Sequence, residues 1–580
     1  MKTKRIFSVL IVCIICILCD PIIKVSAFEK DNISESIESF VDEHSDTTAG
    51  MAVSVFTSNE ELYSNYFGYI DKENGIKVDE NSVFEWGSAT KLLVWTSVMQ
   101  LYEQGLIDLD ADVRTYLPDS FFKNLNFDKP ITMLNLMNHN AGFQESYYNL
   151  FIQKNDIDKL KPLGELLSEY QPEQVFEPGT VTAYCNWGVA LAGYIVEGIT
   201  QKPLYEYVSE NIFKPLEMEH SSMKPAFDDN VFVKEQWEKL VCYTRDVKPL
   251  PSAKCCVAMY PAGSCTSTMK DFKTFALALL KGDNRIFKNN DTYELFLTPT
   301  SYYTYKDIKI PRSCHGIWMI PFESPVYGHG GNTLGCSSYL LIDPQNDIGA
   351  VVMTNQSSEQ VYNIDLMKVI FGKYDPMNYF GETPDTPGGI YKPGRTIFKG
   401  GLKLYSLSFI RFEDEEYTAD LSVEDKESGI IQSPYTDYIK SSFAVLVTET
   451  GLCILWLVSI LACIIMLIIK LVQKIRKKEK RPLGTWAVLS MIAQLSIIGS
   501  FIFIDSNVTN GKTTDSFFRM FYIIFALLLL MITLIILGII KFRKSEMKKG
   551  TKAFNIITLC TLAVSIANVL YWNLFCFWIT

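Results

Sequence analysis

Residues 84–105 read FEWGSATKLLVWTSVMQLYEQG, and the fold turns on how Ser88-Ala89-Thr90-Lys91 is understood. The stretch reads as a loop entering a helix. A serine and a lysine three positions apart at a helix start share one face, about a turn apart. A free hydroxyl is a poor nucleophile and needs a neighbouring base. A lysine supplies one when desolvation or nearby positive charge lowers its pKa. The helix start also offers unpaired amides able to hold an oxyanion. The pattern alone is weak, since ordinary Ser and Lys usage gives about two chance S-x-x-K matches in a chain this long. It recurs here from Ser221, Ser267 and Ser545. What separates Ser88 is its context and two downstream partners.

The first partner is Tyr184-Cys185-Asn186, within FEPGTVTAYCNWGVALAGYIVEGIT. A Pro-Gly turn precedes it and an amphipathic helix follows, which places it in a tight loop. A phenol beside a lysine acts as phenolate or as a relay for the serine proton. The Asn186 amide can orient the lysine and bond a substrate amide. Y-x-N also begins at Tyr63, Tyr147 and Tyr571, so the triplet by itself is unspecific. The second partner is His329-Gly330-Gly331, in YGHGGNTLGCSSYLLIDP, the one H-x-G in a chain with five His. It is expected just before the late strands, where glycine lets a substrate backbone approach a strand edge. His329 would hold a substrate carboxylate or tune the tyrosine and lysine.

In order and context these residues resemble the serine penicillin-recognising fold: penicillin-binding proteins, class C β-lactamases, D-amino-acid-specific peptidases and related esterases (peptidase family S12). S-x-x-K is followed by Y-x-N and then by H-x-G where many relatives have K-T-G. ITMLNLMNHNAGF, FEPGTVTAYCNWGVALAGYIVE and MYPAGSCTSTMKDFKTFALALL are similar to further family segments. Two departures stand out: His329 replaces the usual Lys, and Cys185 replaces the usual Ser, where its side chain would line the site. Lys399-Gly400-Gly401 is a rival K-x-G, but it falls in a linker-like stretch.

The resemblance implies an α/β fold of the α+β kind, an antiparallel sheet with a helical lobe. Strand-like runs lie at both ends of residues 28–374. GMAVSVF and LYSNYFGYI come early, and SSYLLID and IGAVVMT come late around a Pro-Gln-Asn turn. Helices fill the middle. One sheet built from both ends, with the helical lobe inserted, is therefore expected. Residues 375–448 read as a linker and juxtamembrane segment, rich in Pro and Gly and carrying the acidic run Glu413-Asp414-Glu415-Glu416.

Residues 449–580 hold four apolar stretches, each near the roughly 20 residues that span a bilayer. This makes an all-α transmembrane region of four helices. Their first and third connections are basic (Lys474 to Arg481; Lys541 to Lys552), and the second carries one Lys. The positive-inside rule puts the basic loops in the cytoplasm and residues 28–440 outside. That agrees with residues 1–27, which read as a signal peptide ending at Val25-Ser26-Ala27. Residues 441–580 carry a net charge of +10 within a chain of net −11. With no basic stripe outside the membrane loops, nucleic-acid binding is not expected. Seven Cys fall in the exported region, an odd number, with no C-x-x-C pair and no His spacing that suggests zinc.

The resemblance implies covalent acyl transfer without metal or organic cofactor. Ser88 would attack a carbonyl, and Lys91 with Tyr184 would take its proton. Ser88 and Asn332 backbone amides, beside Gly331, would hold the oxyanion, and Asn186 and His329 would bind substrate. Expected substrates are peptidoglycan, teichoic-acid or peptide amides and esters bearing D-amino acids. Alternatives are a D-amino peptidase that matures an acylated natural product, with membrane lipid or the helices holding its tail, an esterase, and a non-hydrolytic penicillin sensor.

Overall fold

A computed structural model describes residues 32–382, 384, 387–396, 407–411, 422–476, 485–544 and 549–575. The signal-peptide reading, the Glu413–Glu416 run and the rival Lys399-Gly400-Gly401 lie outside these residues.

A nine-stranded antiparallel sheet forms the frame. Its order is Ile76–Lys77, Glu61–Asp71, Gly50–Phe56, Ile348–Thr354, Ser337–Asp343, Pro325–Asn332, Ile317–Pro321, Ile308–Cys314 and Ser301–Tyr305. The first and last runs of the domain meet at the centre, with Met51 opposite Thr354 and Phe56 opposite Gly349. Both of these strands are buried along their whole length, which is why they read as apolar runs rather than alternating ones. One face packs against helices Ile33–His44 and Leu366–Phe371 through Ile37, Val53, Val352 and Ile370. The other face meets the helical lobe. Helix Lys91–Glu103 is buried from Lys91 through Leu101. A helix apolar all round belongs at the centre of a core, and this one carries Trp95 and Val98 fully out of water.

Residues 375–448 are not the linker their composition suggests. Their described part forms a five-stranded sheet in the order Phe409–Arg411, Gly389–Pro393, Tyr438–Lys440, Ile430–Gln432 and Val423–Asp425. Strands of three to five residues broken by Pro, Gly and charged turns leave little alternation to read. This sheet docks on the hydrolase-like domain. Ala183 and Thr436 form a β-bridge, and the Tyr184 amide donates to the Tyr435 carbonyl at 2.9 Å. Arg312 pairs with Asp437 at 2.9 Å, both side chains almost fully buried. Removing one partner of a buried ion pair strands the other. Arg312→Ala is therefore expected to lower stability by about 3–5 kcal/mol, read as a fall in the denaturant midpoint.

Four helices follow: Phe443–Ile475, Thr485–Thr509, Phe518–Lys544 and Lys549–Tyr571. All four are long and apolar enough to cross a membrane. The connection between the second and third touches the hydrolase-like domain. Asn149 Oδ1 accepts from the Thr514 amide at 2.6 Å and from its hydroxyl at 2.9 Å. Gln153 Nε2 donates to the Asn510 carbonyl. Cys185, Cys242, Cys255, Cys256, Cys265, Cys314 and Cys336 are buried free thiols.

Candidate active site

A 3-10 turn, Gly87–Thr90, delivers Ser88 to the head of helix Lys91–Glu103. Gly87 makes this possible, with φ at +52° and no room for a Cβ, which would sit 2.5 Å from the Asn332 nitrogen. The facing strand makes the matching concession. A Cβ on Gly331 would lie 1.8 Å from the Trp86 carbonyl oxygen and 2.9 Å from the Ser88 nitrogen. The two glycines let the backbone at Ser88 and the backbone at Gly331–Asn332 lie side by side. Ser338 Oγ donates to the Trp86 carbonyl at 2.7 Å and pins the turn to the sheet. Gly331→Ala is expected to lose activity about 10²–10³-fold, the scale of a lost oxyanion donor, with kcat falling more than KM rises.

Ser88 Oγ lies 2.9 Å from Lys91 Nζ and 2.9 Å from Tyr184 Oη. Lys91 is fully buried. It donates to Asn186 Oδ1 at 2.8 Å and to the Ala262 carbonyl at 2.5 Å. Burial lowers its pKa to about 7, with Arg395 acting in the same direction and Glu145 opposing. A neutral amine has two N–H groups and one lone pair. Protonated, Lys91 donates to Ser88 Oγ as well as to these two carbonyl acceptors; neutral, it keeps its two N–H groups on the carbonyls and turns its lone pair to the Ser88 hydroxyl. Burial raises the Tyr184 pKa above its ordinary value. Tyr184 therefore stands as a neutral phenol donating to Ser88 Oγ.

His329 lies within strand Pro325–Asn332, which immediately precedes strand Ser337–Asp343. Its ring is fully buried and stacks on Trp318 at 4.0 Å. Burial pushes its pKa down to about 3, so it is an uncharged imidazole. The neighbouring strand pairs only up to Trp318 opposite Gly328, so the edge from Gly330 to Asn332 is open on that side. Cys185 does not line the site. Its Sγ caps helix Asn186–Thr200, accepting from the Gly188 amide and donating to the Gln144 carbonyl, both at 3.3 Å.

Ser88, Tyr184, Asn186, His329 and Asn332 border one cavity of about 380 Å³. Its other walls include Tyr147, Leu150, Phe151, Trp318, Leu334, Arg395 and Tyr435. Sequence reasoning missed Glu145 and Arg395. The Glu145 carboxylate accepts from the Asn186 amide at 3.2 Å, from Asn186 Nδ2 at 3.1 Å and from Arg395 Nη2 at 2.7 Å. Glu145 is the second residue after the NHNAGF segment, a signal that was available. Arg395 gave none, because it lies 250 residues away in the stretch read as a linker.

Residues 37–370 match the Beta-lactamase family model. The chain belongs to the beta-lactamase family, and with it to the serine hydrolases. Penicillin-binding protein 4 of Amycolatopsis lactamdurans is 25% identical over 353 residues, covering 60% of this chain and 90% of that protein. A β-lactamase of Yersinia enterocolitica is 29% identical over 173 residues, covering 30% of this chain and 42% of that protein. The chain spans 58% of the length of PbpX from Bacillus subtilis, at 27% identity over 253 residues, which are 43% of this chain. Among solved structures, the D-amino acid amidase of Ochrobactrum anthropi SV3 aligns with a TM-score of 0.48 and 20% identity, covering 59% of this chain and 97% of that one.

Proposed function

We propose that this beta-lactamase family member is a membrane-anchored, extracytoplasmic serine hydrolase that cleaves amides or esters bearing a D-amino acid through an acyl-enzyme. The observation that carries the reading is Ser88 Oγ within 2.9 Å of both Lys91 Nζ and Tyr184 Oη. Lys91 is the general base and takes the Ser88 proton as Oγ attacks the substrate carbonyl. The backbone amides of Ser88 and Asn332 hold the oxyanion. Tyr184 relays the proton to the leaving amine or alkoxide as the C–N or C–O bond breaks. Water then attacks the acyl-enzyme, its proton returning through Lys91, and Ser88 is released. Asn186, His329 and Gly331 shape the acyl-binding edge. The similarity to a putative D-alanyl-D-alanine carboxypeptidase of Salmonella agona, 27% identical over 186 residues, supports the D-configured substrate class.

The base must be unprotonated to act, and burial sets Lys91 at about 7. The kcat/KM profile is expected to rise through pH 7 and flatten above it, where a lysine of ordinary pKa would keep it rising toward 10. A pH–rate series on a D-alanine ester and a D-alanine amide, with the L-enantiomers beside them, tests the reading. Turnover of the D series only supports it, while L preference or no turnover of either removes the substrate assignment.

The four apolar helices and the basic first and third connections support an exterior catalytic domain. Protease added to intact cells is expected to digest residues 28–440 while tags placed in 477–484 survive. The reverse pattern would place the hydrolase inside.

A further inference from the structure

We propose that Glu145 and Arg395 are positioning residues for Lys91, and that the small sheet of residues 389–440 is therefore an integral part of the active site. The inference rests on the Ser88–Lys91 assignment above.

An Asn side chain has one acceptor and one donor end, and only the acceptor serves an amine that must keep its lone pair on Ser88. Glu145 decides which end faces Lys91. Its Oε2 accepts from both the backbone amide and Nδ2 of Asn186, which leaves Asn186 Oδ1 pointing at Lys91 Nζ. The carboxylate is almost fully buried. Left alone, its charge would favour the ammonium form of the nearby lysine. Arg395 meets it at 2.7 Å and cancels that charge. The guanidinium lies 5.1 Å from the Tyr184 ring centroid and 5.7 Å from that of Tyr147.

Arg395 is placed by the small sheet. Its amide donates to Thr436 Oγ1 at 2.8 Å, and the next residue, Thr396, donates amide and hydroxyl to Gln144 Oε1 at 2.5 and 3.0 Å. The other groups around Lys91 carry no compensating charge. Tyr184 is a neutral phenol and Cys185 a neutral thiol, both held so by burial. His139 and His329 are neutral imidazoles, again by burial. Ser88, Asn186 and the Ala262 carbonyl are uncharged. Burial lowers the proton affinity of Lys91, and Glu145 and Arg395 are thus the charged pair that adjusts it.

The test is the acidic limb of kcat/KM, with fluorophosphonate labelling of Ser88 followed on the same samples. Arg395→Gln leaves Glu145 uncancelled and is expected to move the limb up by about one pH unit, a loss of about fivefold at pH 7 that approaches tenfold at lower pH and is recovered at pH 9. Glu145→Gln, nearly isosteric, is expected to move the limb the other way, and Arg395→Lys to leave it within about 0.3 unit of wild type. A merely structural role would lower activity equally at every pH. Limbs that stay put in Arg395→Gln and Glu145→Gln, with Ser88 still labelled, overturn this inference alone. Absence of Ser88 labelling in the wild type overturns the underlying assignment and this inference with it. Should Arg395→Gln fail to fold, the direction of the Glu145→Gln shift decides.

Discussion

Ser88→Ala is expected to abolish turnover, with kcat falling about 10⁶-fold, the scale seen when a nucleophile acting as a unit with its base is removed. The argument is geometric. Ser88 Oγ is within 2.9 Å of Lys91 Nζ and of Tyr184 Oη, and it borders the cavity. The turn that holds it depends on Gly87 and on the Trp86 carbonyl, not on the hydroxyl. Stability should therefore change by less than about 1 kcal/mol, the worth of one ordinary hydrogen bond. Steady-state hydrolysis of a D-alanine ester, beside a thermal melt, checks both halves. A variant that melts as wild type and turns over at wild-type rate would remove Ser88 from the chemistry.

Lys91→Met is expected to cost about 10³–10⁴-fold in kcat/KM, near the upper range for loss of a general base, without a loss of stability. Lys91 is fully buried, and burial lowers its pKa to about 7 from 10.5. In the unfolded chain the ordinary value returns. Between those two values the unfolded state binds more protons than the folded one, so stability rises with pH there. Below pH 7 the lysine is protonated in both states and the full penalty of burying its charge applies. Methionine fills a similar volume and carries no charge. The variant should therefore lose the wild type's gain in stability between pH 7 and 10. Denaturant midpoints at pH 6, 8 and 10 measure this. An inactive variant with an unchanged pH dependence of stability would show that Lys91 does not carry the lowered pKa.

How much of this was legible in sequence follows from where the information sits. Ser88 and Lys91 are one helical turn apart, so spacing alone brings them together. Asn186 needs only the start of the helix that the Pro-Gly turn announces. That one sheet draws strands from both ends of the domain was readable from the apolar runs at Gly50–Phe56 and Ile348–Thr354; that these two strands pair with each other was not. That His329 precedes strands Ser337–Asp343 and Ile348–Thr354 was readable, but that it sits in a strand itself was not. Strand Pro325–Asn332 has Gly at 328, 330 and 331, and Gly-rich sequence reads as a turn. The glycines are there because Trp86, Tyr339 and Leu340 come too close for a side chain, a constraint visible only in three dimensions. Arg395 is the clearest gap. Its partner Glu145 and its support Thr436 are distant in the chain, and both the pairing of Glu145 with Arg395 and the docking of residues 389–440 arise from tertiary packing.

The most direct test of the central claim is to find where an activated phosphonate attaches. The purified full-length protein in detergent is treated with a fluorophosphonate, digested, and the modified peptide sequenced by mass spectrometry. The account predicts a single adduct on Ser88, formed faster as pH rises through 7 and absent in Ser88→Ala and nearly absent in Lys91→Met. An adduct on another serine, or equal labelling of Ser88→Ala, would contradict it.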